Sequence, residues 1–492
     1  MNLRQNHYLR QACPQYLFLL VCSICLTCHA ALAKAPVTLT VSNSTSFAIP
    51  DDFIGLSFET SVVLRGTNRL KSVEPFYLFS PTNQTLIAIF KNLGIKNLRV
   101  GGGTVDNPHR RVPGPEDVDQ LFCFANAAGV KVIFSFRLLN GNPTNAPPMA
   151  AYIWRHYRPQ LDGFAIGNEP DWRSYHKTDP RINNYPSWLA DWRNFAAAIR
   201  TAVPEARFVG PDTGSDYPVT RAANTDYQGK SWTQRFADDE KNSGMIEAVL
   251  HHDYVGQLPN GVPAAAGIDS LLSQKWVTVE YPALYHHVLA PVAADGLPYR
   301  MTEANDRIGG IGGASNAFAS ALWALDYMHW WAAHGCIGVN FHNNEWLLTD
   351  TVYLDKNAVY HLNPKAYGIK AFDLGSHGNV AAMAISNPKK LNLTAYAVNG
   401  GTNLWITIIN KEHNGGARSA QVTIAPGAEW HNPEILFLAG SPGERTGIAL
   451  GGAHINDDGS WNGSWKRLKP RHYGEWITQV PACSAAIIRF SP

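Results

Sequence analysis

The feature that most constrains this chain is a rhythm: eight short, β-rich apolar runs separated by segments with apolar residues at helical spacing. The runs are Ile54–Phe58, Lys96–Val100, Val130–Phe136, Gly163–Ile166, Arg207–Gly210, Ile246–His251, Tyr299–Thr302 and Ile337–Phe341. Between them, Gln84–Asn92, Val118–Ala128, Trp188–Val203 and Ala317–Ala333 carry the helical spacing. Eight strands alternating with helices make a (β/α)8 TIM barrel, an α/β fold whose functional face lies at the carboxyl ends of the strands. Glu59, Gly101–Asp106, Asn168–Glu169, Asp253–Tyr254, Glu303 and His342–Asn343 all fall at that face.

Beyond about Lys365 the rhythm changes. Ala381–Ile385, Leu393–Val398, Leu404–Asn410, Ala420–Ile424, Ile435–Phe437 and Ala485–Phe490 read as strands separated by Gly, Pro and Asn turns, with no convincing helix. This predicts a C-terminal β-sandwich domain. Val37–Phe47 is also strand-like and is expected to pair with that sandwich. The expected division is a signal peptide at 1–33, a joining β-segment at 34–50, the barrel at 51–365 and the sandwich at 366–492. A length of 492 residues suits two domains.

Two strand ends carry acids. Phe164-Ala165-Ile166-Gly167-Asn168-Glu169-Pro170 ends an apolar run in Asn-Glu, with Pro170 blocking extension, and Tyr299-Arg300-Met301-Thr302-Glu303 ends another in a carboxylate. A single glutamate at a strand tip is commonly a solvated rim residue. Two of them, on the fourth and seventh strands of a barrel, face one another over the central cleft. That is the arrangement glycosidic-bond hydrolysis needs: one carboxylic acid protonates the departing oxygen and one carboxylate attacks the anomeric carbon. A separation of roughly 5–5.5 Å gives the retaining course. Glu169 is assigned the acid/base role with a raised pKa and Glu303 the nucleophile role, with Arg99 supplying a positive charge that keeps Glu303 ionised.

Composition narrows the partners. Arg4 and Arg10 precede an apolar run from Tyr16 to Cys28, and Ala31-Leu32-Ala33 offers a cleavage site, so the chain is expected to be secreted or periplasmic. A lipoprotein signal, using Cys22, Cys25 or Cys28, is the rival. No later run is long enough to span a membrane, so no membrane insertion is expected. Removing residues 1–33 lowers the formal charge from +2 to 0. A neutral mature chain lacks the basic footprint of a nucleic-acid binder. Of seven cysteines only Cys123, Cys336 and Cys483 survive processing, too few for a disulfide scaffold. No Cys/His set has metal-ligand spacing and no Walker sequence occurs, so neither metal nor cofactor is called for. Oligomeric state is not legible.

These residues resemble glycoside hydrolase family 79, the β-glucuronidases and heparanases, within the clan of barrel glycosidases with carboxylates on strands four and seven. The resemblance runs from Asp52-Phe53-Ile54-Gly55-Leu56-Ser57-Phe58-Glu59 through Leu98-Arg99-Val100-Gly101-Gly102 and Gly167-Asn168-Glu169-Pro170. It continues through His251-His252-Asp253-Tyr254, Thr302-Glu303 and Gly309-Gly310 to Ser320–Tyr327. It implies the same acid/base and nucleophile, with Asn168 on the hydroxyl beside the anomeric carbon and Glu59 on sugar hydroxyls. Tyr254 would sit near the nucleophile, and Gly309 and Gly310 would offer amides to a uronic-acid carboxylate as an anion nest. Arg99 and Asp106 complete the expected substrate-binding set. Ile308 and Asp253 depart from the family pattern at positions expected to touch the sugar pocket. Glu345 is read as a solvated rim residue rather than a third pocket carboxylate.

The reading this favours is exo-acting hydrolysis of terminal β-linked glucuronic acid from a glycan or glycoside. The alternatives are an endo-β-glucuronidase of heparanase type, a same-clan enzyme on a neutral sugar, and a catalytically silent carbohydrate-binding protein.

Overall fold

The computed structural model describes residues 35–66, 76–171, 184–214, 230–256, 258–343, 348–472 and 475–492. The export signal read in residues 1–33 and the rim assignment of Glu345 lie outside the described residues. Eight parallel strands close into a barrel in chain order: β2 (Ile54–Glu59), β3 (Asn97–Gly101), β4 (Lys131–Phe136), β5 (Leu161–Ile166), β6 (Phe208–Thr213), β7 (Ile246–Tyr254), β8 (Tyr299–Asn305) and β9 (Cys336–Asn343). β9 returns to β2 with Phe341 opposite Leu56, which closes the ring.

Flanking helices include α1 (Gln84–Leu93), α2 (Pro115–Ala128), α3 (Ala146–Tyr157), α4 (Tyr185–Ala202), α5 (Trp232–Glu240), α6 (Ala264–Leu271), α7 (Phe318–Ala333) and α8 (Lys365–Gly375). Their ends follow local chemistry. Asn83 caps α1 by accepting from the Leu86 amide, and Gly94 ends that helix at φ 74°. Pro115 opens α2, where Asp117 reaches back to the Gly114 amide. α7 is buried over nearly its whole surface, because it lies between the barrel and the second domain.

The second domain is an eleven-stranded, mostly antiparallel sheet. Its longer strands include β1 (Ala35–Ala48), β10 (Asn379–Ser386), β11 (Leu393–Asn399), β12 (Leu404–Asn410), β13 (Ala420–Ala425), β14 (His431–Ala439), β15 (Glu475–Val480) and β16 (Ser484–Ser491). The N-terminal β1 runs antiparallel to β10 and parallel to β13, so it joins the two groups of strands that flank it in the sheet. Leu39, Ile406, Ile408, Val422, Ile424 and Ile488 fill the core between the layers.

Two expectations need correction. A helix does follow Lys365: α8 packs on α7 and α1 and completes the helical ring after β9. Its apolar positions Ala366, Ile369, Ala371 and Phe372 show helical spacing, in a stretch short enough to be taken for a loop. The strands that matter most also run further than their apolar stretches suggest. β6 continues to Thr213 and β8 to Asn305, because polar side chains inside a barrel mouth can pair with each other instead of with water. Among the described residues, no helix is long and apolar enough to cross a membrane.

Candidate active site

At the carboxyl ends of the strands, side chains from seven strands converge. β5 ends at Ile166, and the chain turns through Gly167 at φ 82° to Glu169 at φ 44°. Asp212, near the end of β6, stands at φ 60°, and its carbonyl accepts from the Glu169 amide at 2.8 Å. Two non-glycine residues in left-handed backbone cost about 1–3 kcal/mol each, and here they brace one another. Gly214 leaves room for the acid: a Cβ there would lie 2.3 Å from Glu169 Oε1.

The convergence centres on Arg99, which is fully buried in the barrel interior. Its Nη1 donates to Glu303 Oε2 at 2.6 Å and to Ser57 Oγ at 3.1 Å. Its Nη2 donates to Asn168 Oδ1 at 2.6 Å and Asp212 Oδ2 at 2.7 Å. Asp212 also accepts from Thr302 Oγ1 at 2.6 Å. His252 lies between two acids, with Nδ1 3.0 Å from Glu169 Oε1 and Nε2 3.0 Å from Asp212 Oδ1. Tyr254 donates to Glu303 Oε1 at 2.7 Å. His342 stands 3.8 Å from Glu303 Oε2 and 3.6 Å from Glu59 Oε1. One carboxylate oxygen each of Glu169 and Glu303, together with a ring nitrogen of His252, lie within 4.8 Å of one another.

The two glutamates are shifted in opposite directions. Burial raises the Glu169 carboxyl, and the negative charges of Glu303 and Asp171 add to the rise, while His252 opposes it only in part. Burial also works to raise Glu303, but His342, His252 and Arg99 outweigh it and the Tyr254 hydroxyl adds to them, so its carboxyl is held down at about 2. His252 is pushed up to about 10: burial disfavours its charge, but Glu303 and Asp212 more than compensate. Asp212 is held well below the usual carboxylate range by Arg99 and His252 despite burial. Arg99, His252 and His342 thus favour the ionised forms of Asp212, Glu303 and Glu59, while Glu169 is the glutamate of the cluster that is shifted upward.

Glu169, His252 and Glu303 have the donor types and spacing of a metal site. Their chemistry fits a shared proton better. Both ring nitrogens of His252 face carboxylate oxygens at 3.0 Å, as an imidazolium donating twice would.

The expected site residues divide into three groups. Glu169, Glu303, Asn168, Arg99 and Tyr254 meet in the cluster. Glu59 sits at its edge, with Oε2 held by the Thr104 amide at 2.7 Å and hydroxyl at 2.6 Å and Oε1 turned towards His342.

Asp106 and the glycine pair differ from expectation. Asp106 is buried and accepts from the Leu138, Leu139 and Asn168 amides, so its carboxylate orients backbone rather than sugar. Gly309 and Gly310 both have positive φ, 74° and 71°, whereas a nest alternates the sign. The Gly310 amide also closes a turn onto the Arg307 carbonyl. Asp253, expected near the pocket, faces the helical layer, where it accepts from Tyr327 at 2.9 Å. Strand alternation puts it opposite in sense to His252 and Tyr254.

Sequence reasoning missed Asp212 as the hub and the roles of His252 and His342. Asp212 follows Gly210-Pro211, where the fifth apolar run seemed to stop. Its sequence signal was a buried acid at the tip of a barrel strand.

No family model and no curated protein matches the chain. Solved structures do. A 4-O-α-L-rhamnosyl-β-D-glucuronidase from Fusarium oxysporum 12S aligns with TM-score 0.70 at 16% identity, covering 92% of this chain and 99% of its own. A family 51 arabinofuranosidase from Xanthomonas axonopodis pv. citri aligns with TM-score 0.66 at 13% identity, covering 93% and 100%. CelM2, a bifunctional glucanase-xylanase from a metagenome library, aligns with TM-score 0.65 at 14% identity, covering 93% and 99%. At these identities the likeness establishes the fold: this chain has the barrel-and-sheet architecture of these glycoside hydrolases.

Proposed function

We propose that the chain is a retaining glycoside hydrolase that releases terminal β-linked glucuronic acid, with Glu169 as acid/base and Glu303 as nucleophile. The observation that carries this reading is the close approach of two carboxyl groups with opposed protonation. Oxygens within 4.8 Å leave no room for the water that an inverting pair, roughly 6.5–9.5 Å apart, would hold.

In the first step a Glu303 oxygen forms a bond to the anomeric carbon as the bond to the leaving oxygen breaks, and Glu169 gives that oxygen its proton. In the second step, water gives a proton to Glu169 and its oxygen displaces Glu303, which leaves as the carboxylate. The negative charge moves from Glu303 to Glu169 and back. His252, 3.0 Å from one and 3.9 Å from the other, is placed to favour whichever is ionised. Asn168, fixed by Arg99, keeps its amide group for the neighbouring hydroxyl.

The uronic-acid assignment draws on the resemblance in the motifs and on the glucuronidase among the structural neighbours. Export to the periplasm or the medium is part of the same proposal. Aryl β-glucuronides and the matched β-glucosides test it: the glucuronide is expected to be turned over faster, and equal or better glucoside turnover would assign the enzyme to a neutral sugar.

A further inference from the structure

The loop after the nucleophile strand is built around a cation. Arg307 lies four residues beyond Glu303, and its guanidinium is held in place on several sides. Nε donates to the Leu258 carbonyl at 3.0 Å, and Nη2 donates to Asn260 Oδ1 at 2.6 Å. Nη1 donates to the carbonyls of Ile308 at 2.9 Å and Gly310 at 3.3 Å. Every one of these acceptors is neutral. They fix the guanidinium without cancelling its charge, and one of its five N–H groups, on Nη2, is left over.

Other arginines near the mouth are placed differently. Arg99 is neutralised by Asp212 and Glu303, and Arg111 pairs with Asp117. Arg137 is also held by carbonyls, but it lowers the pKa of the buried Asp106 beside it. Among the described residues Arg307 forms no ion pair. The carboxyl of the preceding residue, Asp306, is buried and accepts from the Arg307 backbone amide.

The glycine pair serves this arrangement. The positive φ of Gly309 and Gly310 turns the Ile308 and Gly310 carbonyls onto Nη1, and the Gly310 amide closes the turn. A Cβ on Gly310 would come within 2.8 Å of Leu348 and Thr349, so the loop sits tightly against the segment after β9. The loop also lines up beside the end of β7, where the Gly256 amide donates to the Asp306 carbonyl at 2.6 Å. A pinned cation just beyond the end of the nucleophile strand, with no ion-pair partner among the described residues, suits an anionic substituent on the sugar.

We propose that Arg307 is the residue that selects a uronic acid, attracting the carboxylate through its fixed charge and its remaining N–H while the glycines shape the loop that holds it. This rests on the uronic-acid reading above and names the group responsible.

The test compares kcat/KM on an aryl β-glucuronide with that on the matched β-glucoside, for wild type, R307M and R307K, each checked for folding by circular dichroism. R307M is expected to lose about ten- to a hundredfold on the glucuronide, the scale of a hydrogen bond to a charged group, and to change little on the glucoside. Raising the salt concentration should raise the wild-type KM for the glucuronide and leave that of R307M flat. R307K, which keeps the charge, should fall between the two in preference and retain the salt response, and it provides the reading should R307M fail to fold. Equal losses on both sugars would make Arg307 a loop support only and overturn the inference while leaving the uronic-acid reading intact. A wild type with no preference for the glucuronide would overturn both.

Discussion

Two buried groups of ion pairs, one at the seam between the domains and one at the barrel mouth, are built to opposite ends. At the seam between the domains, Asp326 of α7 meets Lys411, which follows β12, and accepts further from Thr394 at 2.6 Å and Tyr396 at 2.7 Å. One cation meets one anion, two hydroxyls complete the acid, and the group is closed. At the barrel mouth Arg99, His252 and His342 stand among Asp212, Glu303 and Glu59, and a further acid, Glu169, shares His252 with Asp212 and is raised by its burial. Its side chain also keeps 17% of its surface exposed, against 6% for Asp326. The seam holds two domains in register. In the proposed mechanism the mouth keeps a proton available beside an ionised partner, and that asymmetry separates a reactive cluster from a clamp.

Breaking the mouth should have the largest effect. Glu303→Gln closes the covalent route, and Glu169→Gln should lose about 10²–10⁴-fold in kcat, measured on an aryl glycoside. Losses under about tenfold on either change would mean that the carboxylates are not the reacting groups.

Breaking the seam should act on stability instead. Lys411→Met strands a buried Asp326 and should cost about 3–5 kcal/mol in denaturant unfolding, with turnover per folded molecule unchanged. Adding Asp326→Asn should recover part of the loss. A matching fall in kcat would show that the seam reaches the site.

Asp212→Asn sharpens the comparison, because it removes the hub while leaving both glutamates. It should lower kcat by about 10–100-fold, the scale seen when the outer partner of a positioned ligand is removed. It should also bring the His252 pKa down from about 10, where Asp212 helps to hold it. An unshifted imidazole resonance in the variant would contradict that link.

The smallest effects lie in pH. The rate should fall on the acid side only as pH approaches the Glu303 value of about 2, and on the alkaline side as the raised Glu169 loses its proton. Glu169→Gln should flatten the alkaline limb alone. The same shifts carry signs for stability. The depressed Glu303 stabilises the fold above the usual carboxylate range, and that contribution is lost as pH falls towards 2. The raised His252 stabilises it below about 6.5, and that contribution is lost as pH rises through 10. Unfolding free energy measured across pH checks both.

Much of this was legible in the residues, for identifiable reasons. Barrel strands are buried on both faces, so they appear as apolar runs, and a carboxylate at the end of such a run stands out. That signal located Glu169 and Glu303 and the strands that carry them. It failed where burial is polar. Asp212 and Asn305 extend their strands through paired charges and amides, which read as turn residues when their partners, 37 or more positions away, are unseen. Asp106 failed for a related reason: an acid near a cleft looks like a ligand until its backbone partners at 138, 139 and 168 are known. The glycine pair marked the loop that holds Arg307, but the sequence does not show which way its carbonyls turn.

The central claim is that Glu303, kept ionised opposite a protonated Glu169, attacks the sugar directly. A slow-releasing 2-deoxy-2-fluoro β-glucuronide, followed by proteolysis and mass spectrometry, reads that event at the residue. The account predicts a single glycosyl ester on Glu303, with accumulation abolished in Glu303→Gln. Steady turnover of the same reagent to an inverted product without any adduct, or an adduct on another residue, would contradict it.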